Sequence, residues 1–147
     1  MSGTASVRLT QRQDYQFDID LGGGLPIIRA DEPPPLGRGE GPSPLMLLAS
    51  AVGNCLSDSL LFALRKFKQQ PEPITAEVEA QTGRNEQGRI RVSAIGVTLR
   101  LGAPAAKLEH LDRVLATFEA YCTVTQSVGA GIPIEVQVFD AEGIRLK

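Results

Sequence analysis

The sequence predicts an α+β domain over 1–147, with about six antiparallel strands around one long buried helix and a second, shorter helical region. Two observations carry this reading. Segments of alternating apolar and polar residues, the mark of half-buried strands, fall on both sides of a single long apolar stretch that begins at Ser43-Pro44. The resulting order, β-β-β-α-β-β-α-α-β, contains no internal repeat, no low-complexity segment and no linker.

Val7–Gln11 and Tyr15–Leu21 alternate on either side of Arg12-Gln-Asp14 and predict a β-hairpin with one buried face. Gly22-Gly-Gly24 is a turn, and Leu25–Arg29 a short third strand that Pro26 confines to an edge or a strand start. Prolines 33, 34, 35 and 42 and glycines 37, 39 and 41 make 30–43 a loop, and a loop of that length is often functional. Ser43 as N-cap, with Pro44 at the first helical position, starts the central helix, which runs to Arg65. Leu45 to Val52 has no polar face beyond Ser50, so this half is expected to be buried all round; beyond Asn54 the helix becomes amphipathic.

After Gln69-Gln-Pro-Glu-Pro73, strands at Ile74–Thr82 and Ile90–Leu101 flank the turn Asn85-Glu-Gln-Gly88. Pro104 opens a second helix with Leu108, Leu111, Val114, Leu115 and Phe118 at helical spacing. Residues 121–128 read as a separate short helix capped near Thr123 or Thr125, and Ile132–Phe139 as the last strand. One sheet and one helix cannot cover the central helix on every side, so a two-fold dimer is expected.

Composition narrows the function. A formal net charge of −2 with no basic block gives nucleic-acid binding no support, and 5% aromatic residues with no Trp leave little for base stacking. No unbroken apolar run reaches the roughly 18 residues of a membrane span. Met1-Ser-Gly-Thr-Ala lacks a signal-peptide core, so neither membrane nor export is expected. The expected location is the cytoplasm, where two cysteines stay reduced and a purely structural disulfide is disfavoured. No cofactor or metal is expected, because zinc requires more Cys and His than this chain carries.

The two cysteines are the residues with chemistry to offer. Cys55 sits where the apolar half of the central helix gives way to the amphipathic half, among Asn54, Ser57, Asp58 and Ser59; Cys122 precedes Thr123 and Thr125. The residues alone leave two readings open, since free cysteines are commonly small buried hydrophobes. A thiol of ordinary pKa is only a few per cent ionised at neutral pH, and a reactive one needs a cation or a helix N-terminus beside it. Asp58 opposes ionisation if it faces Cys55, and Arg12, Arg29 and Arg38 are the candidate cations. His110, the only histidine, falls on a charged helix face, and nothing in the sequence pairs it with a thiol. Gly22-Gly-Gly24 lacks the strand-to-helix context and Lys of a phosphate loop.

Ala30-Asp-Glu-Pro33 followed by Gly41-Pro-Ser-Pro-Leu-Met-Leu-Leu-Ala-Ser-Ala-Val-Gly-Asn-Cys55 resembles the core signature of the OsmC/Ohr (osmotically inducible protein C / organic hydroperoxide resistance) family. Tyr121-Cys-Thr-Val-Thr-Gln-Ser-Val-Gly-Ala-Gly-Ile132 is similar to its second cysteine motif, and the Asp-Glu-Pro motif points to an OsmC-like branch. The resemblance, which covers essentially the whole chain, implies an OsmC-like fold. It also implies an intertwined homodimer with two equivalent sites at the subunit interface. It further implies a cysteine-based peroxidase acting on organic (lipid) hydroperoxides in oxidative-stress defence. Cys55 attacks and becomes a sulfenic acid, Cys122 resolves it as a disulfide, and an external dithiol restores both.

In the family an arginine held by a Glu stabilises the thiolate. Here Arg38, from the loop before the helix, is preferred over Arg12, from the first hairpin turn. The Glu position is Leu45, with Met46 next, and Glu40 is the candidate substitute; the usual Pro after the second cysteine is Thr123. Loss of the Glu raises an alternative, a non-enzymatic protein binding a hydrophobic or electrophilic small molecule in a pocket near Leu45 and Met46. A third reading has both cysteines inert in the core.

Overall fold

In the computed structural model, which describes residues 3–147, six strands form two separate three-stranded sheets. Internal contacts divide the chain into two units, one ending at Leu48 and one running from Ala49 to Lys147.

The first unit holds β1 (Arg8–Gln13), β2 (Gln16–Asp20) and β3 (Ile28–Ala30), in the order β1-β2-β3 with both pairings antiparallel. Gly22, Gly23 and Gly24 all take positive φ (76°, 63° and 76°), a run that side-chain-bearing residues rarely adopt and that swings the chain round to β3. β3 lies at an edge and begins at Ile28, beyond Pro26, later than the expected start at Leu25. The expected buried face of the hairpin is not formed in the single chain. β1 is exposed throughout, with Leu9 and the preceding Val7 each 54% exposed, and in β2 only Gln16 and Ile19 are buried. Three strands and a loop supply no second apolar layer to cover it.

The loop that follows is ordered by one buried carboxylate. Asp31 Oδ2 accepts from the backbone N–H of Arg38 (3.2 Å) and Glu40 (3.1 Å) and from Gln16 Nε2 (3.4 Å), while Asp31 N–H donates to Pro42 O (3.1 Å). Gly37 completes the fit, because a Cβ there would overlap both Asp31 Oδ1 and Glu32 O.

Helix α1 (Pro44–Lys66) begins as the sequence predicts, with Ser43 Oγ accepting from Met46 N–H at 3.2 Å. Val52, Leu56, Leu60 and Leu64, four residues apart, form a stripe with no exposure at all. The half from Leu45 to Val52 is not buried all round: a single chain covers one stripe, and Met46 and, further on, Phe62 stay 59% and 66% exposed. By length and composition α1 is apolar enough to cross a bilayer, although no unbroken apolar run suggests it. The buried stripe and the polar Asn54, Ser57, Asp58 and Ser59 across its middle are features of a core helix.

In the second unit, β4 (Thr75–Arg84), β5 (Ile90–Arg100) and β6 (Ile134–Phe139) pair in the order β4-β5-β6. β4 and β5 are antiparallel, but β6 runs parallel to β5, which corrects the all-antiparallel expectation. The helical passage between β5 and β6 carries the chain back to the starting end of β5, and such a return is what parallel pairing requires. Register aligns Ala80–Ile95–Ile134, Val78–Val97–Val136 and Ala76–Leu99–Val138 across the three strands. Ile95, Val97, Leu99 and Val138 are buried there together with Phe118, and Gly53 of α1 approaches Val78 so closely that a Cβ would overlap it.

The second helix expected from Pro104 is broken. A 3-10 turn (Ala105–Lys107) precedes α2 (Leu111–Thr117), and a second 3-10 turn (Phe118–Tyr121) leads into α3 (Thr123–Val128). His110 at φ 63° starts α2 from a left-handed residue, so the helical spacing of Leu108 does not continue. The buried carboxylate of Asp140 ties this passage to the C-terminal tail, accepting from the N–H of Ala105 (2.9 Å), Ile144 (2.8 Å) and Glu142 (3.0 Å).

Candidate active site

Both cysteines belong to the second unit and come together. Cys55 lies mid-way along α1 and is half-buried; Cys122 is fully buried at the start of α3. Neither is in a disulfide, and the Cys122 side chain lies near enough to Cys55 to act on its thiol. The sequence places the cap of α3 near Thr123 or Thr125; it is Cys122, next to Thr123, and its Sγ accepts from Thr125 N–H at 3.4 Å. Its extended backbone (φ −82°, ψ 100°) ends the preceding 3-10 turn and turns the side chain back over the first turn of α3. The Cys122 thiol also meets Thr125 Oγ1 at 2.8 Å, with S–H as donor.

The start of α3 serves the other sulfur as well. Burial pushes the Cys55 thiol above its ordinary value, as do the Cys122 side chain and the charge of Asp58, while the Val124 N–H at the start of α3 works the other way. Asp58, whose Oδ2 accepts from Asn54 Nδ2 at 2.8 Å, therefore opposes ionisation as its position predicts. Among the described residues of this unit, no cation acts on Cys55.

The candidate arginines lie in the first unit. Arg12 Nε is 3.3 Å from Asp18 Oδ2, and Arg29 Nε pairs with the same carboxylate at 2.9 Å. Arg38 is exposed on the Asp31-stapled loop, and its guanidinium has no acidic partner among the described residues. Glu40 accepts from Gln16 Nε2 at 2.8 Å and holds neither Arg12 nor Arg38. His110 is exposed and stacks on Phe67 with ring centroids 4.5 Å apart. Among the described residues no group of three or more His, Cys, Asp or Glu is arranged to hold a metal.

Sequence reasoning missed the roles of Asp31, Asp140 and Thr125. A signal existed only for the last, since a hydroxyl residue three positions beyond a helix cap is a recurring local pattern.

Residues 37–137 match the family model for OsmC-like protein, and the chain belongs to that family. No curated protein matches the chain. Among solved structures, it is similar to an OsmC-like protein of unknown function from Vibrio cholerae, with a TM-score of 0.79, 16% identity, and 94% of this chain and 100% of that one covered. It is also similar to an organic hydroperoxide resistance protein OsmC from Legionella pneumophila (TM-score 0.73, 12% identity, 93% and 98% covered). A third is an organic hydroperoxide resistance protein from Elizabethkingia anophelis (TM-score 0.73, 16% identity, 94% and 98% covered). At these identities the likeness is one of fold.

Proposed function

We propose that this protein is a thiol-dependent peroxidase that reduces organic, including lipid, hydroperoxides in cytoplasmic oxidative-stress defence. The observation that carries the reading is that two unbridged thiols, half-buried Cys55 and fully buried Cys122, lie near enough for the Cys122 side chain to act on Cys55. Similarity of fold to organic hydroperoxide resistance proteins supports the substrate class. Proximity of the two thiols also favours this reading over a non-enzymatic binder, which has no need of it.

In the proposed cycle the Cys55 thiolate attacks the distal peroxide oxygen and the O–O bond breaks. The alkoxide leaves and takes a proton to become the alcohol, and Cys55 becomes a sulfenic acid. The Cys122 sulfur then attacks the sulfenic sulfur; the S–O bond breaks and water leaves with the proton that Cys122 gives up. An external dithiol reduces the disulfide. Arg38 is the proposed thiolate stabiliser, with Arg12 second because Asp18 already engages it. A homodimer is part of the proposal, supported by the exposed apolar residues Val7, Leu9, Met46 and Phe62.

The test is the intact mass of reduced protein after a few equivalents of an organic hydroperoxide. The wild type should lose two hydrogens, and Cys122→Ser should instead gain one oxygen or more. An unchanged wild-type mass would end the peroxidase reading.

A further inference from the structure

We infer that the hydroxyl of Thr125 is a positioning group for the resolving thiol, holding Cys122 Sγ toward Cys55 and stabilising it as a thiolate when it attacks. This rests on the peroxidase reading above. The geometry sets Thr125 apart from other helical hydroxyl residues in the chain. Ser57, Thr117 and Ser127 each donate to the carbonyl four residues back (2.7, 3.0 and 2.9 Å), the ordinary resting place of a helical hydroxyl. Thr125 Oγ1 instead meets the sulfur three residues back at 2.8 Å, while its own N–H donates to the same sulfur.

A hydroxyl is both donor and acceptor, and its hydrogen rotates. With Cys122 protonated, S–H donates to Oγ1. As that proton passes to the oxygen leaving Cys55, the hydroxyl turns and donates to the sulfur, so the developing thiolate has two donors from one residue. In the resolving step the Cys122 lone pair forms the S–S bond, the Cys55 S–O bond breaks, and the departing hydroxide is protonated to water. Thr125 neither gains nor loses a proton overall. The first turn of α3 thus addresses both sulfurs, Val124 N–H at Cys55 and Thr125 at Cys122.

The experiment separates the two chemical steps. Reduced protein is mixed with one equivalent of cumene hydroperoxide; sulfenic acid is trapped with dimedone, and disulfide closure is followed by quenched-flow mass spectrometry. Thr125→Val, which keeps shape and the backbone N–H, should slow closure about tenfold, the lower end of what a hydrogen bond to a charged group is worth. Thr125→Ser should restore it. Closure at the wild-type rate in Thr125→Val overturns the role of Thr125 alone, as does failure of Thr125→Ser to rescue. Absence of any dimedone adduct in Cys122→Ser overturns the peroxidase reading, and this inference with it.

Discussion

Cys55 shares one turn of α1 with Asp58, and the Asp58 carboxylate disfavours the Cys55 thiolate. Burial acts in the same direction and more strongly, so the thiol is held above its ordinary value. Its ionisation should be complete only at alkaline pH unless a cation is brought to it. Asp58→Asn is therefore expected to speed alkylation of Cys55 at a fixed neutral pH. The gain should be at most severalfold, because exposed charge pairs are worth about 0.2–1 kcal/mol. Iodoacetamide labelling followed by peptide mass analysis measures it; slower labelling of Asp58→Asn would reverse the assigned sign.

In the proposed peroxidase, the arginine free of a carboxylate partner is the better candidate to stabilise the Cys55 thiolate. Asp18 already faces two guanidinium groups, those of Arg12 and Arg29, whereas Arg38 has no acidic partner among the described residues. Arg38→Ala is expected to slow sulfenic acid formation about tenfold to a hundredfold, the worth of a lost charge-assisted hydrogen bond. Arg12→Ala should have the smaller effect. Stopped-flow oxidation by an organic hydroperoxide distinguishes the two, and the reverse ranking would transfer the role to Arg12.

Much of this arrangement is legible in the sequence. Ser43-Pro44 marks the start of α1, and the hairpins, the loop and both cysteine positions follow from local pattern. What escapes it is long-range. The parallel pairing of β6 depends on where the passage through α2 and α3 returns the chain, which no alternation of residues encodes. Asp31 and Asp140 look like ordinary loop carboxylates until the backbone N–H groups they gather are seen in space. Helical spacing from Leu108 to Phe118 is present, yet His110 adopts a left-handed conformation that the spacing cannot reveal.

Asp31 gives the loop carrying Arg38 a defined pH response. Burial pushes its carboxyl up, but the N–H of Glu40, the Gln16 amide and the N–H groups of Arg38 and Glu32 outweigh this and hold it below its ordinary value of 3.8. A depressed folded-state value stabilises the fold above the unfolded value and loses that contribution as pH falls through the folded one. The amide resonances of Arg38 and Glu40 should therefore stay unchanged down to about that ordinary value and move together only below it. A midpoint above 3.8 would contradict the arrangement. Asp31→Ala should release the loop at neutral pH, seen as faster proteolysis between residues 32 and 42.

Gly53 lies two residues before Cys55, and its lack of a side chain lets α1 approach Val78 of β4. Gly53→Ala forces these two elements apart in a packed interior, where such crowding costs about 1–3 kcal/mol. The gain in helix propensity from Ala, about 1 kcal/mol, offsets part of it. A lower urea midpoint with an unchanged m-value is expected; a higher midpoint would mean that Val78 yields without cost.

Phe62 offers the most direct test of the proposed dimer. It is 66% exposed on a helix whose opposite stripe is wholly buried, and its company in the single chain is Lys66, whose Nζ sits 5.8 Å from the ring centroid. A pair of cation and ring at an exposed site is worth only about 0.5–1 kcal/mol. Burial of a Phe side chain is worth about 1.5–3 kcal/mol, and two-fold symmetry counts it twice. Phe62→Glu should therefore weaken association by at least a hundredfold in Kd, since each ~1.4 kcal/mol is a factor of ten. Sedimentation equilibrium should give the wild type a mass of twice 15.7 kDa and shift Phe62→Glu toward the single-chain value. A wild type that sediments as a single chain at micromolar concentration would remove the dimer from the proposal, leaving the exposed face of α1 to some other cover.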